Sequence, residues 1–225
     1  MKMKNIAAVA MAGCMAASLA ACGGSASSAA STETSTAAST EAATGEESTG
    51  TASGFTVQLG SNPETLDPAL NSAIDGANTL ITVFEPLLLI DQNNEVIPGQ
   101  AESYTVSDDG LVWTFTMRDG LKWSDGSDLT AKDFEYSFKR LAAPDTAAPY
   151  AETVVGMIDG YEDAVGNPDA DGNMTTEPDF DALNVVASED GKTLTVTLSY
   201  PCAYFDKLAA FAAMSPVQQA TVEAN

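Results

Sequence analysis

The chain has 225 residues, with 32 acidic and nine basic side chains, and its formal net charge is −23. Such a chain repels the phosphates of nucleic acid and anionic lipid head groups, so neither is expected as a binding partner. It contains no histidine, which argues against Ser-His-Asp or Cys-His catalysis and against a typical zinc site, and we expect no cofactor.

The first residues are typical of a bacterial signal peptide. Two lysines are followed by an uncharged, alanine-rich stretch over 6–21, which is too short for a convincing membrane-spanning helix. The stretch ends in LAACG at 19–23, which resembles the lipobox of bacterial lipoproteins. The resemblance implies that a signal peptide of residues 1–21 is removed and that acyl chains on Cys22 anchor the protein to the membrane. The expected location is extracytoplasmic, on the outer face of the cytoplasmic membrane or facing the periplasm. An ordinary signal peptide with an incidental cysteine is the alternative.

Residues 22–54 are predicted to form a flexible linker. After Cys22 they are almost entirely Gly, Ser, Ala, Thr and Glu, with no aromatic residue and no Val, Ile or Leu. Such a segment cannot bury enough apolar surface to offset the entropy lost on ordering. We expect a tether that holds the folded part away from the membrane, with a glycosylated stalk as the alternative. Folded sequence is expected to begin at Phe55, with a strand over 55–59.

The next elements are a helix and a short strand. A helix is predicted from about Asp75 to Phe84, where Pro86 limits its continuation. The apolar run over 87–90 predicts a buried strand, because the polar turn DQNN at 91–94 closes it.

The clearest hairpin signal is the turn DDG at 108–110. It separates a strand over 102–107 from a return strand over 111–117, in which apolar and polar residues alternate. The residues expected on one face of the return strand are Leu111, Trp113, Phe115 and Met117. Two further glycine turns are predicted at 118–120 and 124–126.

A capped helix is predicted to follow. Thr130 is a typical N-cap residue, and Asp133 stands three positions later, where it can complete a capping box. The buried face of this helix is expected to carry Phe134, Phe138 and Leu141, which are spaced four and three residues apart.

The remaining elements are predicted from weaker patterns. A second helix is expected near Pro149, because the fixed φ of proline suits a first helical turn. Its buried residues are expected to be Val154, Val155 and Ile158. A hairpin is predicted between 183–187 and 193–200, and a helix over 204–214. Strands and helices mixed in this order indicate an α+β unit without a Rossmann repeat.

One acidic segment has part of the spacing of a calcium loop. Asp169, Asp171 and Asn173 occupy its first, third and fifth positions. The required glycine is displaced to Gly172, and Phe180 stands where the twelfth position needs a glutamate. We therefore predict a solvated acidic loop in place of a calcium site.

Other residues that could carry chemistry have simpler explanations. Asp108 and Asp109 could be imagined as the paired carboxylates of a carbohydrate enzyme, but their place before a glycine indicates turn chemistry. Trp113 and Trp123 could stack on a sugar, but tryptophans at strand positions are more often core. We therefore predict that the protein is not an enzyme.

Nine short segments follow one another along the chain: TLDP (65–68), FEPL (84–87), PGQAESY (98–104), SDDG (107–110), WTF (113–115), RDG (118–120), KWSDG (122–126), TAKDF (130–134) and SFKRL (137–141). In this order and spacing they resemble the solute-binding proteins of peptide ABC importers, the bacterial extracellular solute-binding protein family 5. PDTAAPY at 144–150 is similar to the oligopeptide-binding branch in particular. The resemblance covers nearly all of 55–217.

The resemblance implies a fold that combines α/β and α+β parts in a periplasmic-binding-protein-like type II architecture. Family members have a large first lobe, a smaller domain inserted into it, and a third domain that closes over the ligand. On this plan residues 55–84 are the start of the large lobe and residues 85–217 are the inserted α+β domain. Residues 218–225 return toward the first lobe, so the chain is expected to be an amino-terminal fragment.

The function implied by the resemblance is that of a binding lipoprotein, expected to be a monomer, that captures oligopeptides and delivers them to an ABC import permease. The phenol of Tyr150 is implied to reach a peptide carbonyl, and Ser72, Ala73 and Ile74 to supply an extended edge for the peptide. Alternatively, Tyr150 only packs locally at a helix start. The alternative functions are a surface adhesion or interaction lipoprotein on the same fold, or a binding protein for dipeptides, nickel chelates or another solute.

Overall fold

The computed structural model describes Gln58, residues 60–168 and residues 174–224, all within one unit, Gly54–Asn225. The predicted signal peptide, Cys22, the linker and nearly all of the strand over 55–59 lie outside these residues, as does the acidic loop over 169–173. Within the described part, no helix combines the length and apolar character needed to cross a bilayer.

The secondary structure is a mixture of short helices and antiparallel strands. The helices are α1 (Ile74–Val83), α2 (Ala131–Ala142), α3 (Ala151–Val155), α4 (Tyr161–Val165), α5 (Phe205–Leu208) and α6 (Gln219–Glu223), with 3-10 turns at Pro144–Thr146 and Ala212–Met214. The strands are β1 (Leu88–Ile90), β2 (Val96–Pro98), β3 (Ala101–Val106), β4 (Val112–Met117), β5 (Asn167–Pro168), β6 (Met174–Thr176), β7 (Val185–Ala187) and β8 (Thr193–Thr197). The mixed composition agrees with the predicted fold class.

The main sheet has four antiparallel strands in the order β3-β4-β8-β7. Strand β4, one of its two central strands, alternates as predicted, with Trp113, Phe115 and Met117 buried on one face. The turn between β3 and β4 is also confirmed, since Gly110 has a φ of 74° and Asp109 Oδ1 accepts the N–H of Leu111 at 3.1 Å. These contacts give Asp109 the predicted turn role.

Helix α2 covers the buried face of this sheet. Its capping box forms as predicted, because Asp133 Oδ2 accepts the N–H of Thr130 at 2.8 Å. The predicted stripe is buried in the core, and it consists of Phe134, Phe138 and Leu141. Burial of this apolar face against the sheet is the main source of stability for a helix of this length.

The strand predicted over 87–90 is only partly buried. Leu88 is buried, but Ile90 at the other end of β1 is 47% exposed. The prediction of a buried strand therefore holds for Leu87 and Leu88 but not for Ile90. Among the described residues β1 pairs only with β2, in a two-stranded ribbon whose outer end faces solvent.

The helix predicted over 204–214 is interrupted. Its first part, α5, ends at Leu208, and the backbone of Phe211 is extended, with φ −80° and ψ 139°. The carbonyl of Ala209 accepts the N–H of Leu88 at 3.3 Å, so it pairs with the start of β1 and not with the next turn of a helix. A tertiary hydrogen bond thus takes the place of the helical one.

Candidate ligand-binding site

A charged pair fixes the start of the described chain to α2. The two terminal guanidinium nitrogens of Arg140, Nη1 and Nη2, donate to the carboxylate of Asp67 at 3.0 and 2.6 Å. Asp67 Oδ1 also accepts the N–H of Ala69 at 3.0 Å, and its own N–H donates to the Thr65 hydroxyl at 3.0 Å. Hydrogen bonding to this carboxylate raises the pKa of Arg140. These hydrogen bonds between Arg140 and Asp67 hold the turn that leads into the candidate site.

The segment after this turn is exposed and leads into α1. The side-chain amide of Asn71 donates to the carbonyl of Ala73 at 3.1 Å. Ser72 and Ala73 are exposed, and Ala73 has extended backbone angles of −110° and 148°. Ile74 is 82% exposed but is already the first residue of α1. Within the predicted edge, Ala73 is therefore extended, whereas Ile74 belongs to the helix.

The backbone of this edge has unused hydrogen-bonding groups. Among the described residues, none pairs with the N–H or C=O of Ser72, or with the N–H groups of Ala73 and Ile74. Unpaired groups on an extended, exposed segment can pair with another extended chain. These groups are therefore available for further hydrogen bonds as far as the described residues are concerned.

Tyr150 stands at the N-cap of α3, where its carbonyl accepts the N–H of Val154 at 3.0 Å. The ring of Tyr150 meets the ring of Phe211 in an edge-to-face contact, with centroids 5.5 Å apart and planes at 88°. No described residue forms a hydrogen bond with the Tyr150 hydroxyl. The ring is thus packed against Phe211, and its hydroxyl has no hydrogen-bond partner among the described residues.

The edge and Tyr150 line the same cavity. Its volume is about 190 Å³, and its lining residues are Pro68, Asn71, Ser72, Ala73, Ile74, Ala77, Leu80, Tyr150, Phe211, Ala212 and Ala213. All four residues predicted from the sequence to contact ligand are therefore brought together. Sequence reasoning missed Phe211, which no local pattern marks, because the residue was placed inside the helix predicted over 204–214.

A second, larger cavity of about 830 Å³ contains none of the predicted site residues. Its lining residues are Leu66, Asp67, Pro68, Val83, Phe84, Glu85, Gln100, Lys122, Trp123, Ser124, Asp125, Leu129, Pro216, Val217, Gln218, Thr221 and Val222. Hydrogen bonds from Ser127 and from the amide of Gln218 lower the pKa of Asp125 to about 2. Among the residues that the structure describes, no group of His, Cys, Asp or Glu side chains is placed to hold a metal ion.

Comparison with known proteins identifies the family. The family model "Bacterial extracellular solute-binding proteins, family 5 Middle" matches residues 95–225. The chain is 39% identical over 165 residues to the periplasmic oligopeptide-binding protein OppA of Salmonella typhimurium, covering 73% of this chain and 28% of that protein. It is 37% identical over 163 residues to the periplasmic murein peptide-binding protein MppA of Escherichia coli, covering 72% and 28%.

Solved structures agree with these matches. The Haemophilus influenzae OppA complex with the peptide RPPGFSPFR superposes with a TM-score of 0.65 at 30% identity, covering 74% of this chain and 31% of that one. The chain spans about 28% of the length of the curated relatives named above. Its mixed helix-and-sheet fold is that of the periplasmic-binding-protein-like peptide binders, and the chain belongs to the bacterial extracellular solute-binding proteins of family 5.

Proposed function

We propose that this chain forms part of an extracytoplasmic, lipid-anchored binding protein that captures oligopeptides and delivers them to an ABC import permease. The observation that carries the proposal is a set of backbone groups beside Tyr150, on one cavity, that have no partner among the described residues: the N–H groups of Ser72, Ala73 and Ile74 and the C=O of Ser72. The names of the relatives support it, since OppA is described as oligopeptide-binding and MppA as murein peptide-binding.

The proposed mode of capture relies on the ligand backbone. A peptide strand laid along Ser72 and Ala73 would satisfy its own N–H and C=O groups there, whatever its side chains are. The Tyr150 hydroxyl would donate to a peptide carbonyl, and its ring would cover the peptide backbone. The protein is expected to act as a monomer without a cofactor, and ligand-dependent closure would present the loaded form to the permease.

The assignment of chain segments to lobes belongs to the same proposal. Residues 55–84 and 218–225 would form part of the large lobe, and residues 85–217 would form the inserted domain. Residues from both proposed parts line the larger cavity together, among them Asp67 and Val222 from the large lobe and Trp123 and Leu129 from the inserted domain.

The Tyr150→Phe variant tests the peptide site. Removal of one neutral hydrogen bond is expected to weaken peptide binding by about 0.5–1.5 kcal/mol, or roughly two- to tenfold. Binding would be measured by calorimetric titration of a tri- to pentapeptide pool into the complete gene product. Tyr161→Phe is the control, because Tyr161 is partly buried in α4 and lines neither cavity. An affinity that is unaltered in Tyr150→Phe would leave this residue with a packing role only.

The lipid anchor is tested separately through Cys22. The Cys22→Ser variant has no thiol to accept a diacylglyceryl group, so it should lose metabolic labelling by a fatty-acid probe and be released from membranes. Cys14→Ser is the control, because Cys14 lies within the segment that is expected to be removed. Labelling and membrane retention that persist in Cys22→Ser would refute the lipobox interpretation.

A further inference from the structure

We infer that the ion pair between Asp67 and Arg140 is a positioning pair for peptide capture, which aligns two walls of the peptide site without touching the peptide. One wall is the exposed edge at Ser72 and Ala73, and the other is Tyr150. Neither Asp67 nor Arg140 lines the cavity that these walls share. The inference rests on the proposed function and goes beyond it, because it assigns a role in peptide affinity to two residues outside that cavity.

Asp67 connects the pair to the edge through consecutive hydrogen bonds. The carbonyl of Asp67 accepts the N–H groups of Leu70 and Asn71, at 3.2 and 3.1 Å. The side-chain amide of Asn71 then donates to the carbonyl of Ala73 at 3.1 Å. Asn71 lies so close to Gly76 that a Cβ added to Gly76 would overlap Asn71 Oδ1. A displacement of Asp67 is therefore expected to displace the edge.

Arg140 connects the pair to the wall formed by Tyr150. At the end of α2, the carbonyl of Arg140 accepts the N–H of Ala143 at 3.2 Å. The carbonyl of Ala143 accepts the N–H of Thr146 at 3.0 Å, in the 3-10 turn that leads toward Tyr150. Helix α3, which begins directly after Tyr150, packs against α2. Arg140 therefore holds Asp67 with its side chain and the approach to Tyr150 with its backbone.

The geometry of the pair suits a positioning role. The guanidinium of Arg140 binds both oxygens of the Asp67 carboxylate, so it fixes the orientation of Asp67 as well as its distance from α2. Both side chains are mostly shielded from solvent, which limits screening of the pair. Prealigned walls reduce the free energy that peptide binding must spend on ordering the protein. Loss of the pair should therefore weaken peptide binding.

The Arg140→Met variant tests the inference through peptide affinity. Calorimetric titration of a tri- to pentapeptide pool into the complete gene product should show binding weakened by at least about tenfold. Leu194→Ala is the control for a general loss of stability, because Leu194 is buried in β8 and lines neither cavity. Its affinity should match that of the unmodified protein. The titrations are made without denaturant, where urea titration shows each variant to be folded.

A double-variant cycle separates alignment of the walls from a merely structural role. In the unmodified protein, Tyr150→Phe is expected to weaken binding roughly two- to tenfold. In the Arg140→Met background the same change should weaken binding by less than about twofold, because a misaligned phenol no longer reaches the peptide carbonyl. In the Leu194→Ala background the full effect of Tyr150→Phe should remain.

The conservative variant Arg140→Lys decides the question where Arg140→Met does not fold. Lysine keeps the positive charge but lacks the planar fork, so this variant should stay folded and still weaken peptide binding by about threefold or more. Arg118→Lys is the matched control, because Arg118 is exposed, makes a single hydrogen bond to Glu85 and lines neither cavity. Peptide affinity should be unchanged in this control.

The outcomes separate the positioning role from the proposed function. Unaltered peptide affinity in the Arg140 variants, or an equal loss in their controls, would overturn the positioning role and leave peptide capture intact. Full additivity of Arg140→Met with Tyr150→Phe would overturn the alignment of Tyr150 by the pair, as would an unaltered affinity in Tyr150→Phe alone. Failure of every peptide to bind the unmodified protein would overturn the proposed function itself, and the positioning role with it.

Discussion

Replacement of Gly160 by alanine is expected to destabilise the protein by about 3–5 kcal/mol, the sum of backbone strain and a steric clash. Gly160 precedes α4 with a φ of 81°, in the left-handed region that L-residues rarely adopt. An added Cβ would overlap the carbonyl oxygen of Ala182, a backbone atom that cannot rotate away. Relief of the clash would displace Leu183, which is buried in the core.

Gly120→Ala is the matched control for Gly160→Ala. Gly120 also has a positive φ, of 74°, but an added Cβ would meet nothing within 4 Å. The Gly120→Ala variant should therefore lose only the free energy that the left-handed backbone strain costs, about 1–2 kcal/mol. Both free energies of unfolding would be measured by urea titration. Equal losses in the two variants would contradict the close approach of Gly160 to Ala182.

Loss of the ion pair between Asp67 and Arg140 is expected to have the second largest effect. Arg140→Met should lower the free energy of unfolding by about 2–3 kcal/mol, because it leaves the Asp67 carboxylate without its cation. The expected loss is smaller than for a fully buried pair, since the side chains of Arg140 and Asp67 are 13% and 24% exposed. Urea titration would again measure the loss.

Two further variants make this second prediction specific. Lys132→Met removes a positive charge from an exposed position in the first turn of the same helix, α2, and should cost no more than about 0.5 kcal/mol. The double variant Arg140→Met with Asp67→Asn should lose less stability than the sum of its single variants, because no unpaired charge remains. Strict additivity would indicate that the two charges do not stabilise each other.

Elements with local signals could be predicted from the sequence. The capping box of Thr130 and Asp133 involves residues three positions apart, and its hydrogen bonds form within one turn of helix. The β3–β4 hairpin depends on the turn at 108–110 and on alternation within one strand. Both are determined by neighbours along the chain, and the structure contains both as expected. The ordered series of family motifs likewise indicated the family that the comparisons identify.

The candidate site depended on contacts between distant parts of the chain. Ser72 and Tyr150 share a cavity although they are far apart in the sequence, and the ion pair between Asp67 and Arg140 helps to fix the first segment against α2. Phe211 faces Tyr150 because a hydrogen bond from Leu88 to the carbonyl of Ala209 replaces a further helical turn. The local pattern over 204–214 favoured a continuous helix. That pattern carries no information about Leu88, the hydrogen-bond partner of Ala209, which lies more than a hundred residues earlier in the chain. The sequence by itself determined the helices and hairpins with local signals, and only the tertiary structure decided which side chains meet at the cavity.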